Sequence, residues 1–231
     1  MSWNQIANVP NGEFRDLWVL DRLQTHLPDV LSPTLLDVGA GPSPYGDIAR
    51  NLGYLYRSQD FSSYTPGDSV PGLHNDAWEY PEHTYVCDIT EIPDEAISDV
   101  VLCTEVLEHV PDPVRAFERM AKLLKPGGKQ IITVPFMSLM HQAPYWFQSG
   151  LSPFWFEYWA KQEKLIIEEL TVQGDYADYM SQEVGRLLVF RPRIRGLNRV
   201  GSRATQLLRR RLPKAVLESG GFGTLFIGTK L

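Results

Sequence analysis

Apolar positions recur at helical spacing over residues 14–27 (FRDLWVLDRLQTHL), where Phe14, Leu17, Trp18, Leu20, Leu23 and Leu27 predict an amphipathic helix. After a break bracketed by Pro28 and Pro33, the pattern becomes a short unbroken apolar run. LLDVG at 35–39 reads as a buried strand entering a tight turn. A helix over 45–52, stopped by Gly53, and a strand over 54–60 follow. Residues 62–82 are polar and rich in Gly and Pro, a surface connection. Strand character returns at 83–87 and at 99–102 (DVVL). A helix then opens at Asp112 or Pro113 and runs to Leu124, with PGG at 126–128 as its stop, before a strand at 130–134 (QIITV). Strands alternating with helices at this rhythm predict an α/β fold, a parallel sheet covered on both faces.

Beyond Phe136 the pattern changes. An aromatic-rich segment at 145–159 leads to a strand at 165–172, a basic helical stretch over 179–217 and a closing strand at 223–230 (GTLFIGTK). The 231 residues are 43% hydrophobic and 22% charged, a globular composition that needs no covalent staple. Two cysteines are too few for a disulfide framework or a structural zinc site. The first residues carry no basic and apolar signal pattern and no apolar run approaches bilayer length, so a cytoplasmic protein is expected.

The turn Asp37-Val38-Gly39-Ala40-Gly41 ends the first buried strand. Glycine there lets backbone approach a ligand, and a following helix start offers N–H groups to an anion. The next strand ends in Asp60, placed to accept from a ribose diol, and a third ends in Asp88, placed for a base edge. Taken singly, Asp60 and Asp88 also suit ordinary strand-end turns. As an ordered set they mark the edge of an open parallel sheet where ligands bind.

LLDVGAG, QDF at 59–61, CDIT at 87–90, DVVLCTEVLEHVPDP at 99–113 and LLKPGGKQIITVPF at 123–136 together resemble the class I S-adenosylmethionine-dependent methyltransferases. The resemblance covers residues 35–136 and implies a Rossmann-like sheet of seven strands, mostly parallel with an antiparallel last strand, helices on both faces. It implies one methyltransferase domain over 1–231, with a cofactor-binding core at 35–136 and an aromatic substrate segment at 137–160. S-adenosyl-L-methionine is the implied cofactor: Gly39, Ala40 and Gly41 along its methionine part, Asp37 orienting the loop or the ammonium, Asp60 on the ribose, Phe61 on the adenine. Asp88 and Ile89 would hold the adenine edge, and Thr104 and Glu105 would lie beside the sulfonium. Where the family's third glycine falls, this loop has Pro42 and Ser43. The glycine spacing also departs from the G-x-G-x-x-G of a nicotinamide site, which disfavours an oxidoreductase. A cofactor-binding scaffold without catalysis stays open beside the enzyme.

Methyl transfer needs a group to accept the acceptor's proton. Glu105, Glu108 and His109 fall at i, i+3 and i+4, on one face if that turn is helical. His109 is then a base or a structural residue of the turn, and His141, in the loop SLMHQAPYWF, is favoured as base. A second reading takes Glu105, Glu108, His109 and His141 as ligands of a divalent ion. Relatives with the same block mostly lack a metal, so none is assigned. Eight of the fifteen residues from 145 to 159 are aromatic, too many for one packing stripe. Some are expected to form a lid over a planar acceptor, either a small molecule or a glycan-linked group.

Charge adds one feature. Residues 184–217 carry ten basic and no acidic side chains, leaving −16 on the rest of a chain whose total is −6. That block predicts a contact with the acidic body or within a homodimer, or docking on an anionic membrane surface that would make the protein peripheral to the membrane. Nucleic acid is disfavoured, because no aromatics interleave with these arginines.

Overall fold

The computed structural model describes residues 3–6, 13–64, 73, 79–189, 207 and 209–231. Its strands are β1 (Asn4–Ile6), β2 (Thr34–Val38), β3 (Leu55–Asp60), β4 (Tyr85–Val86), β5 (Ser98–Thr104), β6 (Leu124–Pro135), β7 (Leu165–Gln173) and β8 (Gly223–Lys230). They form one sheet in the order β1-β7-β8-β6-β5-β2-β3-β4. β2 pairs in parallel with β3 and β5, β5 with β6, and β3 with β4, whereas β8 runs antiparallel between β6 and β7.

Both sheet faces are buried, which is why the central strands read as unbroken apolar runs. Leu35, Val100, Leu102, Ile131, Leu225 and Ile227 face one side, under α1 (Glu13–Thr25) and α2 (Gly46–Asn51). Leu36, Val38, Val101, Cys103, Ile132, Val134 and Phe226 face the other, under α3 (Pro113–Lys122) and α4 (Pro153–Gln162). α1 is held by Trp18, Val19 and Leu23, all buried. α3 starts where the Asp112 side chain accepts from Arg115 N at 3.1 Å and Pro113 takes the first turn.

Three expectations need correction. The sheet has eight described strands, not seven: β1 adds in parallel to the edge of β7, Asn4 opposite Thr171. Its three residues carry no readable pattern, and it exists because β7 offers an unpaired edge. PGG does not stop α3, which ends at Lys122. Residues 126–128 lie inside β6, where the register against β5 shifts between Ser98 and Val100 and Gly127 takes φ +76°. The third predicted strand shrinks to the two residues of β4.

The aromatic segment divides between packing and cavity. Phe156 stacks on Phe226 and meets Phe117, and Trp155 meets Phe117, so these α4 rings are the part of the set that packs on the sheet. α5 (Tyr176–Val189) and α6 (Lys214–Leu217) frame the basic block, most of which, residues 190–206 and 208, lies outside the described residues. No described helix is long and apolar enough to cross a membrane.

Candidate functional site

The C-terminal ends of β2, β3, β4 and β5 converge on one cavity of about 590 Å³, inside the ~300–1,000 Å³ range of small-molecule sites. Gly39, Ala40, Gly41, Asp60, Phe61, Asp88, Ile89, Thr104, Glu105 and His109 all line it. α1 closes one side with Arg15, Asp16 and Leu20, and Tyr64, Tyr145 and Phe147 add aromatic surface.

The glycine turn is shaped by backbone requirements. Gly39 takes φ +66° and Gly41 φ +51°. A Cβ on Gly39 would lie 2.5 Å from Val106 Cγ2, so this position needs both left-handed backbone and the absence of a side chain. Ser43, standing where a glycine was expected, also takes left-handed backbone (φ +56°), and its N–H donates to the Ala40 carbonyl at 2.7 Å.

Asp60 is buried and holds the turn: its Oδ2 accepts from Gly41 N at 2.9 Å and its Oδ1 from Ser62 N at 2.7 Å. Each oxygen retains a second lone pair, and Asp60 lines the cavity. Gln59 was missed in the sequence. Its Oε1 accepts from Gly39 N (3.1 Å), its carbonyl from Ala40 N (2.9 Å), and its Nε2 donates to the Cys87 carbonyl (2.7 Å). One buried amide thus ties together the ends of three strands. A polar residue beside the acid of a buried strand was the available signal. The Asp88 carboxylate accepts from Thr90 N at 2.8 Å, turning the chain so that Ile89 is buried.

Asp37 does not line the cavity. It lies beneath the turn, 1% exposed, and accepts from the Tyr56 hydroxyl at 2.7 Å. Burial pushes its carboxyl up to about 7, with the nearby charge of Asp60 adding and the Tyr56 hydrogen bond opposing. The folded value therefore exceeds the unfolded one. The cost of ionising Asp37 is absent below about pH 4, grows as pH rises and is complete above about pH 7. Asp37→Asn keeps an oxygen for Tyr56 and removes that cost. Its unfolding free energy is expected to exceed the wild type's by about 1–3 kcal/mol near pH 8 and to match it near pH 4. Denaturant titrations at the two pH values check this, and an equal gain at both would contradict the assignment.

The i, i+3, i+4 spacing does not put both carboxylates on one face. Glu105 takes left-handed backbone (φ +54°) and Leu107–His109 form a 3₁₀ turn, so the helical phase is lost. Glu105 turns to Arg15, with Oε2 at 3.6 Å from its guanidinium, and accepts from Thr133 Oγ1 at 2.9 Å. Glu108 goes inward and is fully buried, with both oxygens lacking a hydrogen-bond partner. Burial raises its carboxyl well above the ordinary range, and Glu105 adds to the shift.

His109 donates from Nδ1 to the Tyr145 carbonyl. Burial lowers its imidazole to about 4; the Tyr145 hydrogen bond opposes that shift and His141 adds to it, so the ring is neutral near pH 7. His141 is not part of the cavity wall. It lies against His109, ring centroids 4.7 Å apart, with Nδ1 donating to the Leu139 carbonyl at 2.9 Å. Of the aromatics at 145–159, Tyr145 and Phe147 reach the cavity, whereas Phe154 and Tyr158 point to solvent.

An open parallel sheet that collects a glycine turn and successive strand-end acids around one cavity defines an α/β protein built for a nucleoside-containing cofactor. The methyltransferase-domain family matches this chain over residues 13–173. The chain belongs to that family, within the class I S-adenosylmethionine-dependent methyltransferases. It is 33% identical over 130 residues to a ubiquinone biosynthesis O-methyltransferase of Paraburkholderia xenovorans, covering 52% of this chain and 53% of that protein. The chain thus spans about half the length of the curated relatives it matches. Among solved structures, a SAM-dependent methyltransferase from Archaeoglobus fulgidus superposes with a TM-score of 0.55 at 15% identity, covering 94% of this chain and 96% of that one. Phosphoethanolamine N-methyltransferase 2 of Haemonchus contortus, in complex with S-adenosyl-L-methionine, superposes with a TM-score of 0.53 at 18% identity, covering 96% and 53%. At these identities the superpositions speak for the fold.

Proposed function

We propose that this chain transfers the methyl group of S-adenosylmethionine to a hydroxyl oxygen of a small, flat acceptor. The observation that carries the reading is the convergence of Gly39–Gly41, Asp60, Asp88 with Ile89, and Thr104 with Glu105 on one cavity. Asp60 would accept from the ribose hydroxyls while holding the Gly41 amide. Phe61 would cover the adenine, whose edge meets the Asp88–Ile89 turn, and the left-handed glycine turn leaves room for the methionine part. When bound, the cofactor supplies a methyl already activated as a sulfonium, so the protein's task is in-line placement and removal of the acceptor's proton. Tyr64, Tyr145 and Phe147 offer flat faces to an aromatic acceptor. His109, in the wall with Glu108 and His141 behind it, puts the proton-handling groups beside that surface. The new O–CH3 bond forms as the S–CH3 bond breaks, and S-adenosylhomocysteine leaves. Oxygen as the target is supported by the O-methyltransferase relatives.

Incubation of the protein with methyl-labelled cofactor and separate panels of phenols, amines and glycans tests the reading. Label is expected in the phenols, with one S-adenosylhomocysteine formed per methyl transferred. Tight S-adenosylhomocysteine binding without transfer to any panel would favour a cofactor-binding scaffold. Label in glycans alone would move the acceptor to a sugar-linked hydroxyl. The same preparation, sedimented with anionic vesicles at low and moderate salt, tests whether the basic block at 184–217 docks on a membrane surface. A mass measurement across concentration tests its use in a homodimer.

A further inference from the structure

The end of β3 holds the two halves of the cavity wall to one another. On the β2 side, Gly39 N donates to Gln59 Oε1 at 3.1 Å, Ala40 N to the Gln59 carbonyl at 2.9 Å and Gly41 N to Asp60 Oδ2 at 2.9 Å. Three successive amides of the glycine turn are thus taken by the last two residues of β3. On the β4 side, Gln59 Nε2 donates to the Cys87 carbonyl at 2.7 Å. Asp60 meets Cys87 through its backbone, its carbonyl accepting from Cys87 N at 3.2 Å, a bond that no side-chain change removes. β4 pairs with β3 through just Tyr85 and Val86, so few backbone bonds fix where it ends. Asp88 and Ile89 follow directly and line the cavity. The partners fix which way round the Gln59 amide stands, since an N–H needs its oxygen and a carbonyl needs its nitrogen. Gln59 is 1% exposed, so bulk water does not replace either bond when it is lost.

We infer that Gln59 is a positioning residue: its side-chain amide sets the distance between the turn that takes the methionine part of the cofactor and the turn that takes the adenine. The inference rests on the cofactor-site reading above. A ligand that occupies both halves depends on that distance, whereas one confined to the nucleoside half does not. Removing the amide therefore costs S-adenosylhomocysteine more affinity than 5′-methylthioadenosine, which keeps the nucleoside and the sulfur and lacks the amino-acid part. A glutamate at this position adds a pH signature. Protonated, its carboxyl has one donor and one acceptor and serves the Gly39 N–H and the Cys87 carbonyl as the amide does. Ionised, it has acceptors alone, and one oxygen then faces the Cys87 carbonyl oxygen, which is repulsive. The charged groups on the surrounding elements include Asp37 on β2, Asp60 on β3, Asp88 and Glu91 beyond β4, and Arg119 of α3 near Cys87. Burial and the adjacent acids hold the introduced carboxyl above the ordinary carboxylate range, so its protonated form is reached without strong acid.

Calorimetric titration of the full chain with both ligands tests this. In Gln59→Met, S-adenosylhomocysteine is expected to bind about 10- to 100-fold more weakly, and 5′-methylthioadenosine within about 3-fold of the wild type. In Gln59→Glu, the affinity for S-adenosylhomocysteine, divided by the wild type's at the same pH, should be near one at about pH 5 and fall by at least about 10-fold by about pH 9. Dividing by the wild type removes the titration of Asp37, which both proteins share. Thermal melts report that each variant is folded, and if Gln59→Met is not, the pH series of Gln59→Glu decides. Equal losses for the two ligands, or a Gln59→Glu ratio that does not change with pH, overturn the positioning role and leave the cofactor site standing. A wild-type chain that binds neither ligand overturns the cofactor site itself, and the role of Gln59 with it.

Discussion

Asp60→Ala is expected to lower the affinity for S-adenosylhomocysteine by about 100-fold or more. Two losses combine. A bidentate, charge-assisted contact to a ribose diol is worth about 1.5–3 kcal/mol. The Gly41 amide also loses its buried acceptor, a 2.9 Å hydrogen bond, at a further cost of about 1–3 kcal/mol, part of which appears as a less ordered turn in the free protein. Asp60→Asn separates them: an amide oxygen still accepts from Gly41, while the charge and one acceptor are gone, so a smaller loss of about 10-fold is expected. Calorimetric titration of the three proteins measures the series. Equal affinity in a folded Asp60→Ala variant would remove Asp60 from the cofactor site, and equal losses in both variants would make the charge alone responsible.

Gly39→Ala is expected to be damaging on two independent grounds. At φ +66° an L-residue costs about 1 kcal/mol, and its Cβ would stand 2.5 and 2.6 Å from the two methyls of Val106. Either Val106 or the turn must move, and both line the cavity. The expected result is a destabilisation of about 2–4 kcal/mol together with loss of most cofactor affinity. Adding Val106→Ala opens the space but leaves the backbone cost. The double variant should therefore recover the steric part of the affinity and remain about 1 kcal/mol less stable than Val106→Ala alone. A double variant no better than Gly39→Ala would place the damage in the backbone path rather than in the contact. Thermal melts and analogue titrations on the four proteins close the cycle.

The two variants probe parts of the molecule that differ in how readable they were. Leu35 and Leu36 are apolar neighbours on opposite faces of one strand, so a doubly covered sheet was legible in a five-residue run. Gly39, Gly41, Asp60 and Asp88 were legible because they follow strand ends in order. In a parallel sheet all such ends lie along one edge, so sequence order alone brings them together. The closing strand GTLFIGTK was equally plain, and its antiparallel place, between β6 and β7, is the one the family resemblance implied.

What stayed hidden depends on contacts between segments far apart in the chain. Gln59 looks like any polar residue until three strand ends surround its amide. Asp37 and Asp60 are both strand-end acids, yet one points under the turn to Tyr56 and the other holds the turn from the cavity side. β1 has no pattern of its own and is strand only because β7 needs a neighbour. The helical spacing of Glu105, Glu108 and His109 misled because a left-handed residue and a 3₁₀ turn reset the phase. One carboxylate went to Arg15 and the other was buried against His141, thirty-three residues on. Local periodicity and strand-end chemistry are properties of short segments, and the sequence by itself determined them: the layered sheet, the edge that lines the cavity and the acids along it. Which side of the turn each acid faces, and which histidines share a buried carboxylate, depended on packing between distant elements. Only the tertiary structure decided those.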